Sequence, residues 1–140
     1  MEQKPRLLVI EDDFENQRLL EIYLKKKFDI MVCDSADSFY ECLKNNKFDI
    51  FLVDISLLGD KNGLELMKEL RQSPEYTNSP IICISAHVFP ADRENAFNAG
   101  ADEFLARPIY NEDLLSSLIR VYNKKTGINI EWLFNLRLKF

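Results

Sequence analysis

The chain is short of the residues that would place it in several large functional classes. Its three cysteines, Cys33, Cys42 and Cys83, form no CxxC pair, which excludes a disulfide framework and reads as buried thiols in a reducing compartment. The single histidine, His87, has no Ser or Cys–Asp partner in sequence to complete a nucleophilic triad. Glycine is scarce, and neither GxGxxG nor GxxxxGK[ST] occurs, so the phosphate-cradling loops of nucleotide-binding domains are absent. No apolar run approaches the ~18–20 residues of a membrane span, and Met1-Glu-Gln-Lys-Pro5 is no signal peptide. Base is also in deficit: 18 Lys and Arg stand against 23 Asp and Glu, a net charge of −5. A phosphate-binding face needs the opposite balance, so nucleic acid is not the expected partner. The expectation is a cytoplasmic protein with no membrane and no nucleic-acid contact.

What is present is a regular alternation. Residues 6–10 are apolar and stop at Glu11, Asp12 and Asp13, the pattern of a buried strand ending in acids. From Phe14 the period becomes helical, with Asn16, Leu19, Leu20, Tyr23 and Leu24 recurring up to three lysines, and Asp13 suits the cap. Residues 28–33 read as a second strand, and Asp34 or Ser35 can cap a helix showing Ala36, Phe39, Tyr40 and Leu43. Residues 50–53 are the third strand, closed by Asp54. A loop over residues 56–62 precedes a helix over 63–71. Residues 81–84 are a fourth strand ending at Ser85. A weakly apolar helix over 91–99 stops at Gly100, a suitable C′ residue. Residues 103–106 make a fifth strand, and Asn111 is placed to cap a last helix carrying Leu114, Leu115, Leu118, Ile119 and Tyr122. Five such units imply right-handed crossovers and an α/β fold: a doubly wound, five-stranded parallel sheet with helices on both faces, (βα)5, with a short C-terminal extension. Residues 1–125 form the domain, and 126–140 the extension.

Ligands bind such sheets beyond the carboxyl ends of the strands. Glu11, Asp12, Asp54, Ser85 and Arg107 all fall at that edge. Three converging carboxylates repel one another unless a cation sits among them, and an oxygen-only donor set selects Mg²⁺ or a similar ion. A metal beside a carboxylate activates water, or neutralises a phosphoryl group arriving at the carboxylate oxygen. A hydroxyl and a fixed cation then complete a phosphoryl site.

With these residues in place the sequence resembles the receiver domain of bacterial two-component response regulators over about residues 6–122. The resemblance is carried by Leu8-Val-Ile-Glu-Asp-Asp-Phe-Glu-Asn-Gln17, Leu52-Val-Asp-Ile-Ser56, Asn62-Gly-Leu-Glu-Leu66, Ile84-Ser-Ala86, Gly100-Ala-Asp102 and Arg107-Pro108. It implies a flavodoxin-like sheet, and that Asp54 accepts a phosphoryl group from a histidine kinase or histidine phosphotransfer protein. It implies Mg²⁺ held by Glu11, Asp12, Asp54 and the Ser56 backbone carbonyl. Ser85 matches the hydroxyl that follows the phosphoryl group, and Phe104 the switch aromatic, whose plainer reading is core. Ser56 and His87 occupy the positions that modulate loss of the phosphoryl group to water. Two departures stand out: Arg107 replaces the family's lysine, a planar fork where a compact ammonium is usual, and Leu58 stands where proline is preferred, with Gly63 one residue late.

The function expected is a stand-alone receiver, not an enzyme, with only about eighteen residues after Tyr122, too few for a DNA-binding output domain. It signals by contact with a downstream protein. Two alternatives are a receiver-like module that no longer switches, because of Arg107, and a metal-dependent phosphatase using Asp54. The phosphatase lacks an aspartate at Ser56 and room for a substrate cap. In the extension, Ile128, Ile130, Trp132, Phe134, Leu136, Leu138 and Phe140 alternate with polar residues, apart from Leu133. That is a strand-like period, with a helix as the alternative over so short a run, and it reads as a segment packed on the domain, a frayed terminus, or a docking element for a partner or a second copy, giving a homodimer.

Overall fold

The computed structural model describes residues 4–56, 62–86 and 89–130. Five strands, β1 (Arg6–Ile10), β2 (Asp29–Cys33), β3 (Ile50–Asp54), β4 (Ile81–Ser85) and β5 (Glu103–Ala106), alternate with α1 (Phe14–Leu24), α2 (Ala36–Asn45), α3 (Gly63–Gln72), α4 (Pro90–Ala99) and α5 (Asn111–Thr126). All strand pairs are parallel, in the order β2-β1-β3-β4-β5. This is the doubly wound parallel sheet expected from the alternation, in the flavodoxin-like order.

Because successive strand residues point to opposite faces, each strand feeds two separate cores. Leu8, Ile10, Phe51, Val53, Ile81, Cys83 and Phe104 pack under α2, α3 and α4. Leu7, Val9, Ile50, Leu52, Ile82 and Ile84 pack under α1 and α5. β3 and β4 are buried at every position, which is why they read as unbroken apolar runs rather than alternating ones. Cys33 and Cys83 belong to this core, and burial pushes both thiols far above the ordinary cysteine range, leaving them poor nucleophiles.

The helix ends follow local chemistry. The Asp13 carboxylate accepts from the Asn16 N–H at 2.9 Å, and Ser35 caps α2 in a reciprocal box with Ser38. Gly100 ends α4 at φ +115°, a conformation costly for any residue with a Cβ. Three expectations need correction. Asn111 does not cap α5: Tyr110 holds the extended cap backbone without a side-chain bond, and Asn111 is already helical. Leu19 does not face inward but is 65% exposed, because α1 meets the sheet through Leu20, Tyr23 and Leu24. The last helix also reaches Thr126, one residue into the expected extension, before Gly127 turns the chain at φ +76°. Ile130, beyond it, is buried in the α1/α5 core. The strand-like period expected from Ile128 onward does not form where it is described, Ile130 being helical, and its remainder over 131–140 lies outside the described residues.

Candidate functional site

The carboxyl edge of the sheet gathers groups from every part of the chain. Pairing of β1 with β3 sets Ile10 beside Val53, so the next residue on each strand, Glu11 and Asp54, meet. Asp12 follows, and an oxygen from each of the three carboxylates lies within 4.8 Å of the other two. Glu11 and Asp54 are buried, at 0% and 2% exposure. Asp12 lies nearer solvent at the mouth.

Each buried carboxylate is held in place. Asn16 donates to Glu11 Oε1 at 2.8 Å, and the Gln17 amide donates to the Glu11 carbonyl at 2.6 Å. The Ser56 N–H donates to Asp54 Oδ1 at 2.7 Å. From β5, the Arg107 guanidinium lies 3.2 Å from Glu11 Oε2 and 3.6 Å from Asp54 Oδ2. Burial pushes the Glu11 carboxyl up to about 7, aided by its hydrogen bond to Asp54 and opposed by Asn16 and Arg107. One guanidinium does not balance three acids, so the cluster retains an excess of negative charge.

Ser85 is fully buried at the end of β4, opposite Ala106 in register, and its carbonyl accepts from the Arg107 N–H at 2.8 Å. Phe104 is 6% exposed within the α2/α3/α4 core, where its plainer reading placed it. Gly63 closes the floor: a Cβ there would lie 2.5 Å from the Asp54 carbonyl oxygen, so α3 starts against the backbone of the central acid. Leu58 and His87 lie outside the described residues. Asn16 was counted on the apolar stripe of α1, and its amide turns instead to Glu11. Its spacing of five residues from Glu11 was the available signal, but nothing in the sequence separates it from a helix-face position.

The donor set suits a hard divalent cation. It offers oxygen alone, from carboxylates close enough to share one ion while leaving sites for water. Beside them, the Ser56 hydroxyl is buried with no hydrogen-bond partner among the described residues.

A family model, the response regulator receiver domain, matches residues 7–119. The chain belongs to that family. Receiver domains are signalling modules of two-component systems rather than classical enzymes. Among curated relatives, the receiver shares 29% identity over 124 residues with the histidine-protein kinase BarA of Escherichia coli, covering 88% of this chain and 13% of BarA. It shares 33% over 120 residues with the transcriptional regulatory protein KdpE of Staphylococcus aureus, covering 85% of this chain and 50% of KdpE. It therefore spans half of one relative and about an eighth of the other. A response regulator from Chloroflexus aurantiacus superposes with a TM-score of 0.80 at 25% identity, covering 86% of this chain and 98% of that one. The receiver domain of a sensor histidine kinase from Pseudomonas aeruginosa, solved with magnesium in its active-site cleft, superposes with a TM-score of 0.75 at 24% identity, covering 89% and 99%. Among the described residues, no helix is long and apolar enough to cross a membrane.

Proposed function

We propose that this receiver takes a phosphoryl group on Asp54 from a phosphohistidine of a kinase or phosphotransfer protein, works as a unit in the cytoplasm, and signals by protein contact. The observation that carries this reading is the convergence of Glu11, Asp12 and Asp54, with two of the three carboxylates buried. Burying charge without a purpose is costly, and a phosphoacceptor with a cation site supplies one.

In this reading Glu11, Asp12, Asp54 and the Ser56 carbonyl hold Mg²⁺, as the magnesium-bound relative from Pseudomonas suggests. The ion, when bound, offsets the charge on the incoming phosphoryl oxygens. An oxygen of Asp54 attacks phosphorus as the bond from phosphorus to the donor imidazole nitrogen breaks, and the nitrogen recovers a proton from solvent. The product is an acyl phosphate. Arg107 sits where a cation can pair with the transferred group, and the Ser85 hydroxyl, one strand over, is the group that would follow it. Phe104 is the aromatic that would report that movement to the surface.

The Arg107 bridge to both buried acids favours one other reading. A guanidinium that already neutralises Glu11 and Asp54 can stabilise a receiver-shaped interaction module that takes no phosphate. Incubation with acetyl phosphate and Mg²⁺, followed by intact-mass measurement, separates the two. One added phosphoryl mass, lost in Asp54→Asn, supports the acceptor. No added mass supports the static module, and sustained turnover of a generic phosphate ester supports a phosphatase.

A further inference from the structure

Arg107 holds the oxygens that a metal ion needs. Its Nη2 donates to Glu11 Oε2 at 3.2 Å, and its Nη1 lies 3.6 Å from Asp54 Oδ2. The second oxygen of each acid is already engaged: Asn16 donates to Glu11 Oε1 at 2.8 Å, and the Ser56 N–H to Asp54 Oδ1 at 2.7 Å. Of this buried pair, the oxygens left for a cation are the two that the guanidinium takes. Mg²⁺ carries a double charge and sits about 2.0–2.1 Å from each oxygen it binds. Two cations drawn to the same oxygens repel each other, and a buried site screens that repulsion little. The fork is also free to leave. Both acids are buried, whereas the Arg107 side chain is 27% exposed. Its backbone is fixed independently, the Arg107 N–H donating to the Ser85 carbonyl at 2.8 Å. Beside it runs a groove of about 490 Å³ between α1 and the start of α5, lined by Arg107 itself and by the polar Asn16 and Asn111.

We propose that Arg107 is a displaceable counter-ion. It holds Glu11 and Asp54 together when no divalent ion is present, and such an ion enters only as the fork lets go and turns into the groove. The bridge and the ion therefore exclude one another. This rests on the reading in which the three acids form a cation site beside the phosphoacceptor. A lysine would compete less well, because one ammonium is a single point and cannot hold both acids with a planar fork. Arginine at this position thus sets the concentration of divalent ion at which the receiver becomes competent for phosphoryl transfer. The released guanidinium is then free to meet an incoming phosphoryl group. One side chain serves the acids before the ion arrives and the phosphoryl oxygens after it.

Mg²⁺ binding measured by calorimetry on the full chain, with no phosphate donor present, tests this apart from phosphorylation. Arg107→Gln should bind Mg²⁺ between about 5-fold and 150-fold more tightly than the parent, the usual range for coupled binding events. Arg107→Lys, which conserves the charge, should fall between the two. Arg120→Gln removes the same charge from an exposed pair with Glu103 and should leave the affinity unchanged. In the parent, the side-chain nitrogen-15 resonance of Arg107, assigned by its loss in Arg107→Gln, should become solvent-like as Mg²⁺ saturates. If Arg107→Gln misfolds, the Arg107→Lys affinity and the resonance in the parent decide. Equal or weaker Mg²⁺ binding in the Arg107 variants overturns the proposal and leaves the cation site standing. So does an Arg107 resonance that saturating Mg²⁺ does not move, or an Arg120→Gln chain that gains as much affinity as Arg107→Gln. Absence of Mg²⁺ binding in every protein overturns the proposal together with the cation site. The expected affinities in a chain that acetyl phosphate fails to label would support the counter-ion and count against the phosphoacceptor alone.

Discussion

Arg107, at the end of β5, pairs with Glu11, at the end of β1, its Nη2 donating to Oε2 at 3.2 Å across ninety-six residues of chain. The other arm of the same fork lies 3.6 Å from Asp54 Oδ2. A lysine ammonium is a single point charge and does not offer this planar, two-armed geometry. Arg107→Ala leaves two buried acids facing each other without their internal cation. The partners are buried but Arg107 is about a quarter exposed, so the expected loss is about 2 kcal/mol at pH 8 in chelator, below the full value for breaking a buried pair. Saturating Mg²⁺ should narrow that loss, because a divalent ion then takes over the neutralisation. Urea unfolding of both proteins with and without Mg²⁺ measures it; a loss that Mg²⁺ leaves untouched argues that the ion binds elsewhere.

The raised Glu11 carboxyl makes stability depend on pH in a stated direction. Its value rises from 4.5 to about 7 on folding, first through burial. The folded state therefore holds a proton that the unfolded chain releases earlier. The associated stability is fully present below pH 4.5 and is lost as pH climbs through 7. Glu11→Gln keeps the shape and abolishes the charge. In chelator it should be more stable than the parent by on the order of 2 kcal/mol at pH 8 and nearly equal to it at pH 4. Unfolding curves that stay parallel across this range would show that Glu11 is not the titrating group.

Gly63 has no room to grow. A Cβ would meet the Asp54 carbonyl oxygen at 2.5 Å, the Ile55 Cα at 2.9 Å and Val53 Cγ1 at 2.9 Å. Two of these are backbone atoms of the strand end that carries the central acid, and backbone cannot step aside as a flexible side chain does. Gly63→Ala should cost about 1–3 kcal/mol by overpacking. It should also slow labelling of Asp54 by acetyl phosphate if that residue is the acceptor, because the acid moves with its backbone. Full stability in the alanine variant would show that α3 shifts freely.

The fold was legible because period carries it. Unbroken apolar runs at 50–53 and 81–84 specify strands buried on both faces, and Asp13, Ser35 and Gly100 mark helix ends by chemistry that acts within a few residues. Much of the candidate site was legible for a related reason: once the strands are parallel, their last residues must share an edge. Side-chain direction was not legible. Asn16 lies in the first turn of α1, five residues past Glu11, and its amide reaches the Glu11 carboxylate rather than the core. Leu19 is left outside because α1 packs on the sheet through Leu20, Tyr23 and Leu24. The cap of α5 falls on Tyr110 because an extended backbone is needed there, and the preference for Asn does not override it.

Arg71 shows the same limit at the opposite edge of the sheet, and it yields a test. In sequence it is one more basic residue in the last turn of α3. In the fold its Nε donates to the Gly100 carbonyl at 2.9 Å, and Nη1 to the carbonyls of Ser79 at 2.7 Å and Thr77 at 3.1 Å. Nη2 donates to Asp102 Oδ2 at 3.0 Å. The same Asp102 oxygen accepts the Ile81 N–H, and its other oxygen takes Lys125. One guanidinium thus joins the ends of α3 and α4 to the starts of β4 and β5. Arg71→Met leaves these carbonyls and Asp102 without their shared donor, for an expected loss of about 2–3 kcal/mol. Arg71→Lys should recover less than half of it, since an ammonium lacks the fork that reaches several acceptors at once. Because Arg71 lies a full strand length from Asp54, labelling by acetyl phosphate in the folded variant should keep the parent rate. Normal stability in Arg71→Met would reduce this network to surface decoration, whereas loss of labelling with stability intact would mean the two edges of the sheet are coupled.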